Sequence, residues 1–86
     1  MSRTLANYQQ LFDLSRKLNV MSSEISDLRA QGDSVVGGTE WDGVSANRFR
    51  DFWKQFSVDL TKAQEILNEG SVEVNAKAEL YQRADA

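Results

Sequence analysis

Apolar residues recur at every third or fourth position along two long stretches of this chain, on either side of a short glycine-rich break. In the first stretch Leu11, Leu14, Leu18, Met21, Ile25 and Leu28 fall 3, 4, 3, 4 and 3 residues apart, and Gly32 and Val35 occupy the next positions in register. This is the stripe of an amphipathic helix with a heptad repeat. Tyr8 and Phe12 widen it near the start. In the second stretch Ala46, Phe49, Trp53, Phe56, Leu60, Ala63, Leu67, Gly70 and Val74 repeat the spacing, Lys77 interrupts it, and Tyr81 resumes it. Phe52 and Ile66 broaden that face. The pattern predicts a helix over residues 4–36, a turn over 37–43 and a second helix over 43–84, all in one domain spanning 1–86. Proline is absent, so neither helix meets a residue that would break it.

Local signals agree with the two helices. Ser2 or Thr4 is placed to cap the first by accepting an orphan backbone N–H, and Thr39 or Ser45 to cap the second. Asp13 with Lys17, Glu73 with Lys77 and Glu79 with Arg83 are pairs one turn apart in the favourable order. Gly32 costs about 1 kcal/mol against alanine in a helix interior, yet Val35 in register calls for one more turn before Gly37-Gly38 ends the helix. The Gly70-Ser71 step is the weak point of the second helix. A glycine on the stripe also lets another helix approach closely, so that helix is read as continuous.

The break itself reads Gly37-Gly38-Thr39-Glu40-Trp41-Asp42-Gly43. Glycine turns a backbone at little cost and ends helices in the left-handed region, whereas a large aromatic is unusual in a turn. The expected fold is therefore all-α, an antiparallel helical hairpin with Trp41 at its bend. Two antiparallel helices cover only one stripe of each other, and these stripes include four phenylalanines and two tryptophans. A disulfide-free hairpin of this size is also marginal on surface-to-volume grounds. The expected solution is a dimer forming a four-helix bundle. Its packing residues would be Leu11, Leu14, Leu18, Met21, Ile25, Leu28, Phe49, Trp53, Phe56, Leu60, Leu67 and Val74.

Composition narrows the function. The net charge of −3 argues against nucleic acid or an anionic membrane surface as the main partner. Arg48, Arg50 and Lys54 alternate with Phe49, Phe52 and Trp53, which reads as a solvated helix face beside an apolar one. Cysteine and histidine are both absent, which removes disulfides, the commonest metal ligand and the commonest general base. No metal-spaced cluster, phosphate-cradling loop or activated nucleophile is visible, so no enzyme, cofactor or metal site is expected. Met1 to Asn19 lacks the apolar core of a signal peptide, and no run is long enough for membrane insertion. These rules alone would place the chain in the cytoplasm.

Two motifs remain. Trp41-Asp42-Gly43 at the bend is either a recognition knob or a tryptophan that anchors the hairpin, with Gly43 relieving crowding. Tyr81 and Asp85 lie one turn apart on one helix face. There Tyr81 also belongs to the apolar stripe, and Asp85 faces the unfavourable end of its own helix dipole.

The set of Trp41 and Gly43 at a mid-chain bend, then Ala46, Phe49 and Trp53, and finally Tyr81 with Asp85 as a YxxxD/E motif, resembles the WXG family. These are small early-secreted-antigen-like substrates of type VII secretion, and the resemblance covers the whole chain. It implies a homodimer or a heterodimer with another WXG-type hairpin, an antiparallel four-helix bundle exported folded without a cleavable signal peptide. It further implies that Trp41 and Gly43 of one subunit and Tyr81 and Asp85 of the other form a composite export signal. An FtsK-type membrane ATPase would read that signal, and the protein would be secreted or held at the cell surface, possessing no enzymatic activity and serving as substrate and carrier or adaptor. Many members carry a tail beyond the tyrosine motif, whereas this sequence stops at Ala86. The alternative reading is a structural hairpin, a needle-like filament subunit or coiled-coil adaptor. A DNA-binding helix-turn-helix would need a shorter turn and a basic recognition helix.

Overall fold

The computed structural model describes residues 6–85, which form two helices, α1 over Tyr8–Gly38 and α2 over Val44–Asp85. The expected helix start at residue 4, and the capping roles of Ser2 and Thr4, lie outside the described residues. Asn7 supplies the first cap instead: its backbone is extended and its side chain accepts from the Gln10 N–H at 3.2 Å. α1 runs through Gly32 and ends at Gly38, but neither Gly37 nor Gly38 takes the left-handed conformation expected of a terminating glycine. Thr39 ends the helix in extended geometry, and its hydroxyl donates back to the Val35 carbonyl at 2.6 Å. It therefore closes α1 rather than opening α2. Gly43, at φ 105°, is the described residue that needs glycine's freedom. Its carbonyl accepts the first helical bond of α2, from Asn47 N–H at 3.0 Å, so Ser45 already lies inside the helix.

The two helices fold back on each other as an antiparallel hairpin with principal extents of 69 × 16 × 12 Å. The radius of gyration is 19.5 Å, against about 12 Å for a compact chain of this length. A rod of this shape has little interior. Buried apolar residues are Ala46 and Ala78, and among the described residues no large side chain is fully enclosed.

Small side chains let the backbones approach. Ser15, Ser22 and Ser71 are buried in the seam. The Ser15 hydroxyl donates to the Ser71 carbonyl, and the Ser71 hydroxyl to the Ser15 carbonyl, both at 2.9 Å. The two hydroxyl oxygens are themselves 2.9 Å apart. Arg29 donates to the Thr61 hydroxyl farther along. At the other close approach Trp53 lies across Gly32, where a Cβ would fall 2.1 Å from two of its ring carbons. The indole N–H then donates to Asp33 Oδ1 at 2.7 Å. Gly32 is thus glycine because of a neighbour on α2.

The structure divides the predicted packing residues in two. Leu11, Leu18, Ile25, Trp53, Leu60, Leu67 and Val74 are half-buried along the seam. Leu14, Met21, Leu28 and Phe49, Phe56 are exposed. The reason is angular: the helices meet through the row at 11, 18, 25 and 32 and its neighbours 15, 22 and 29. The row at 14, 21, 28 and 35 then turns about 60° away.

Candidate functional site

Three features of the hairpin bear on function: its tip, its open end and one flank. At the tip, α1 stops and α2 starts within five residues, so Trp41 has no third element to hide under. It stays 44% exposed. Its ring leans on Phe49 with centroids 5.9 Å apart, and its carbonyl accepts from Arg50 Nη2 at 2.5 Å. Val35, Val36, Thr39, Trp41, Phe49 and Arg50 line an apolar cleft of about 250 Å³ beside it. Trp41 is therefore both braced from below and displayed. Gly43 sets the direction in which the turn leaves the indole. Glu40 and Asp42, both exposed, leave the bend acidic.

The aromatic contacts continue down α2. Phe49 meets Phe52 at 6.3 Å, Phe52 stacks on Phe56 at 6.4 Å, and Phe56 meets Trp53 at 5.5 Å. Such ring pairs each add about 0.5–1.5 kcal/mol beyond area burial, yet Phe52 is 64% exposed. Sequence periodicity had these residues apolar; it did not show them as one continuous ladder open to solvent.

At the open end Tyr81 is half-buried against the seam and Asp85 is exposed. Asp85 lines a cleft with Ala6, Asn7, Tyr8 and Gln9, beside the start of α1. The unfavourable end of its own helix dipole is thus offset by the favourable end of its neighbour's. Trp41 and Gly43 lie at one end of the 69 Å rod, Tyr81 and Asp85 at the other. A single chain does not bring the two motifs together.

The flank joins both ends. Because the helices are antiparallel, the rows that turn away from the seam turn to the same side. Leu14, Met21, Leu28 and Val35 of α1 therefore share a face with Phe49, Phe52, Phe56, Ile66 and Leu80 of α2, all of them exposed. An apolar strip running the length of the rod marks a surface built for contact.

On α1 the charges do ordinary helix work. Lys17 and Arg16 approach Asp13 at 2.9 and 3.0 Å, and the Lys17 hydrogen bond first, then that of Arg16, holds its carboxyl below the ordinary 3.8. Among the described residues no group of acidic side chains is arranged to hold a metal, and no helix is long and apolar enough to cross a membrane.

The model of one protein family, WXG100, described as proteins of 100 residues with WXG, matches residues 5–86. No curated protein and no solved structure matches the chain.

Proposed function

Since the chain belongs to the WXG100 family, and is thus a small helical protein of the type VII secretion substrate kind, we propose that it is exported as a folded dimer and presents its signal only in that form. One observation carries the proposal. The exposed Trp41 and the Tyr81–Asp85 pair sit at opposite ends of one rod, and the flank between them is apolar and uncovered. A second WXG-type hairpin lying on that flank, end for end, places its tip beside the first chain's open end. Trp41 and Gly43 from one subunit and Tyr81 and Asp85 from the other then make a single composite surface. An FtsK-type secretion ATPase is the partner that reads it, and the destination is outside the cell or its surface. The protein acts without enzymatic chemistry, as cargo and as carrier or adaptor.

Export from a host with an active type VII system tests this. Trp41→Ala and Tyr81→Ala are expected to keep the helical circular dichroism of the parent while losing secretion. Trp41 makes its contacts at a solvent-facing tip, so its removal spares the seam. Secretion of both variants at the parent level would overturn the signal assignment.

A further inference from the structure

At the tip the two helices part to make room for the bend, and the seam widens into the cleft against Trp41. Val36 and Arg50 contribute half-buried side chains to it. Val35, Phe49 and Trp41, all exposed, supply the rest of its apolar lining. Two polar groups interrupt that lining. The Thr39 hydroxyl is committed to the Val35 carbonyl, which leaves the Arg50 guanidinium as the group a ligand would meet.

That guanidinium is incompletely answered. It carries five N–H donors and a fixed positive charge. Its hydrogen bond goes from Nη2 to the Trp41 carbonyl, a neutral acceptor. Among the described residues the ion pairs are those of Asp13 with Arg16 and Lys17, so no carboxylate pairs with Arg50. A half-buried cation beside an apolar cleft, with only a carbonyl for a partner, favours an anion there.

We propose that the cleft is a binding site for a monocarboxylate amphiphile of the medium-chain fatty acid class. Its chain lies between Val35, Val36, Phe49 and the Trp41 indole, and its carboxylate sits on Arg50. Three properties select that class. The first is size: an apolar cavity of about 150 Å³ holds a benzene, so a cleft of about 250 Å³ takes a chain of roughly ten heavy atoms. The second is polarity, since the carboxylate matches the planar fork of a guanidinium in two parallel hydrogen bonds.

The third is charge. Between residues 40 and 51, Glu40, Asp42 and Asp51 outnumber Arg48 and Arg50. Such a balance repels a phosphate or any polyanion, yet admits one negative charge held directly on Arg50. An acidic protein segment would have to pass Glu40 and Asp42, which flank the indole and are exposed. A free carboxylate on a short chain meets less repulsion. Because the ligand touches the end of α1, the bend and the start of α2 together, it also braces the tip. The proposal stands apart from the export reading, for it concerns binding by the folded chain and is measured without secretion.

Octanoate, titrated into the full chain by calorimetry, is the probe, with octan-1-ol as the uncharged match. Octanoate is expected to bind with a Kd of about 0.1–1 mM, and the alcohol about tenfold or more weakly. In proton–nitrogen correlation spectra the Trp41 indole N–H is expected to move more than that of Trp53, which is tied to Asp33. Arg50→Gln is expected to lose the preference for octanoate over the alcohol, and Arg50→Lys, which keeps the charge, to retain it. Arg48→Gln is expected to change neither. Val36→Phe fills the cleft and is expected to abolish binding of both ligands, with circular dichroism reporting its helices. Should that variant lose helix, the Arg50 pair decides alone. Octanoate bound no tighter than octan-1-ol, or a preference that survives Arg50→Gln, would overturn the proposal. So would a folded Val36→Phe that binds like the parent, which would put the ligand on the open flank. Binding of a capped leucyl-glutamate dipeptide without binding of octanoate would overturn it too, in favour of a protein segment.

Discussion

Replacing Gly32 with alanine sets two effects of similar size against each other. Alanine is the better helix former by about 1 kcal/mol in a helix interior, so on propensity alone the variant gains stability. Across the seam, however, the new methyl would lie 2.1 Å from Trp53 Cη2 and Cζ2. Those atoms belong to a rigid ring that cannot bend aside. The indole must swing out, which gives up part of its burial, about 1–2 kcal/mol, and its hydrogen bond to Asp33, about 1 kcal/mol at an exposed site. The net expectation is a loss of about 1–2 kcal/mol, or roughly 5–15 °C in Tm for a domain of this size. Gly37→Ala is the matched control, since a Cβ there meets nothing within 4 Å; it is expected to gain about 0.5 kcal/mol. Thermal and urea melts followed by circular dichroism, all at one protein concentration because pairing shifts apparent stability, read both. If Gly32→Ala stabilises as Gly37→Ala does, Trp53 does not lie across Gly32 and the reasoning about this contact fails.

The serine clasp predicts near-additivity. Ser15→Ala and Ser71→Ala should each cost about 1 kcal/mol in urea denaturation, and the double variant close to the sum, because each hydroxyl donates to the other residue's backbone carbonyl, which an alanine keeps. A double variant that costs little more than either single one would show that the contact between the two hydroxyls, rather than the two carbonyl bonds, holds the clasp. Acid should act on α1 through Asp13. Its folded pKa lies below 3.8 because Lys17 and Arg16 favour the carboxylate. A lowered pKa stabilises the fold above the unfolded value and loses that contribution as pH falls through the folded one. Asp13→Asn should therefore narrow the difference between melts at neutral pH and below pH 3.8. An equal acid response in parent and variant would remove Asp13 from the account.

Periodicity in the sequence carried the helices, the bend and the hairpin, since every third or fourth residue along two stretches is apolar and no proline intervenes. It did not reveal which part of each stripe faces the other helix. Leu11 and Leu14 contribute equally to a stripe, yet a rotation of about 60° makes one half-buried and the other exposed. Ser15 and Ser22 escaped notice, and Ser71 entered only as part of a weak helical step, because a search for apolar residues passes over serine, although Ser15 and Ser22 stand seven residues apart beside the leucine row. Gly32 looked like a weak helix position; the ring that requires it is 21 residues away in sequence. At the tip, Trp41 and Gly43 were legible as residues, but Arg50 bracing the Trp41 carbonyl depends on how the turn leads into α2. The Asp85 cleft depends likewise on the two ends meeting. Such long-range contacts follow from the closed hairpin rather than from any local pattern.

The slender outline has a consequence for how this molecule behaves in motion. A particle measuring 69 × 16 × 12 Å drags through solvent like a much heavier sphere, so one chain emerges early from a sizing column and passes for two. When a second joins alongside, girth grows while length hardly does, and friction rises less than mass. Elution volume will therefore barely separate the two species, whereas light scattering, blind to outline, will.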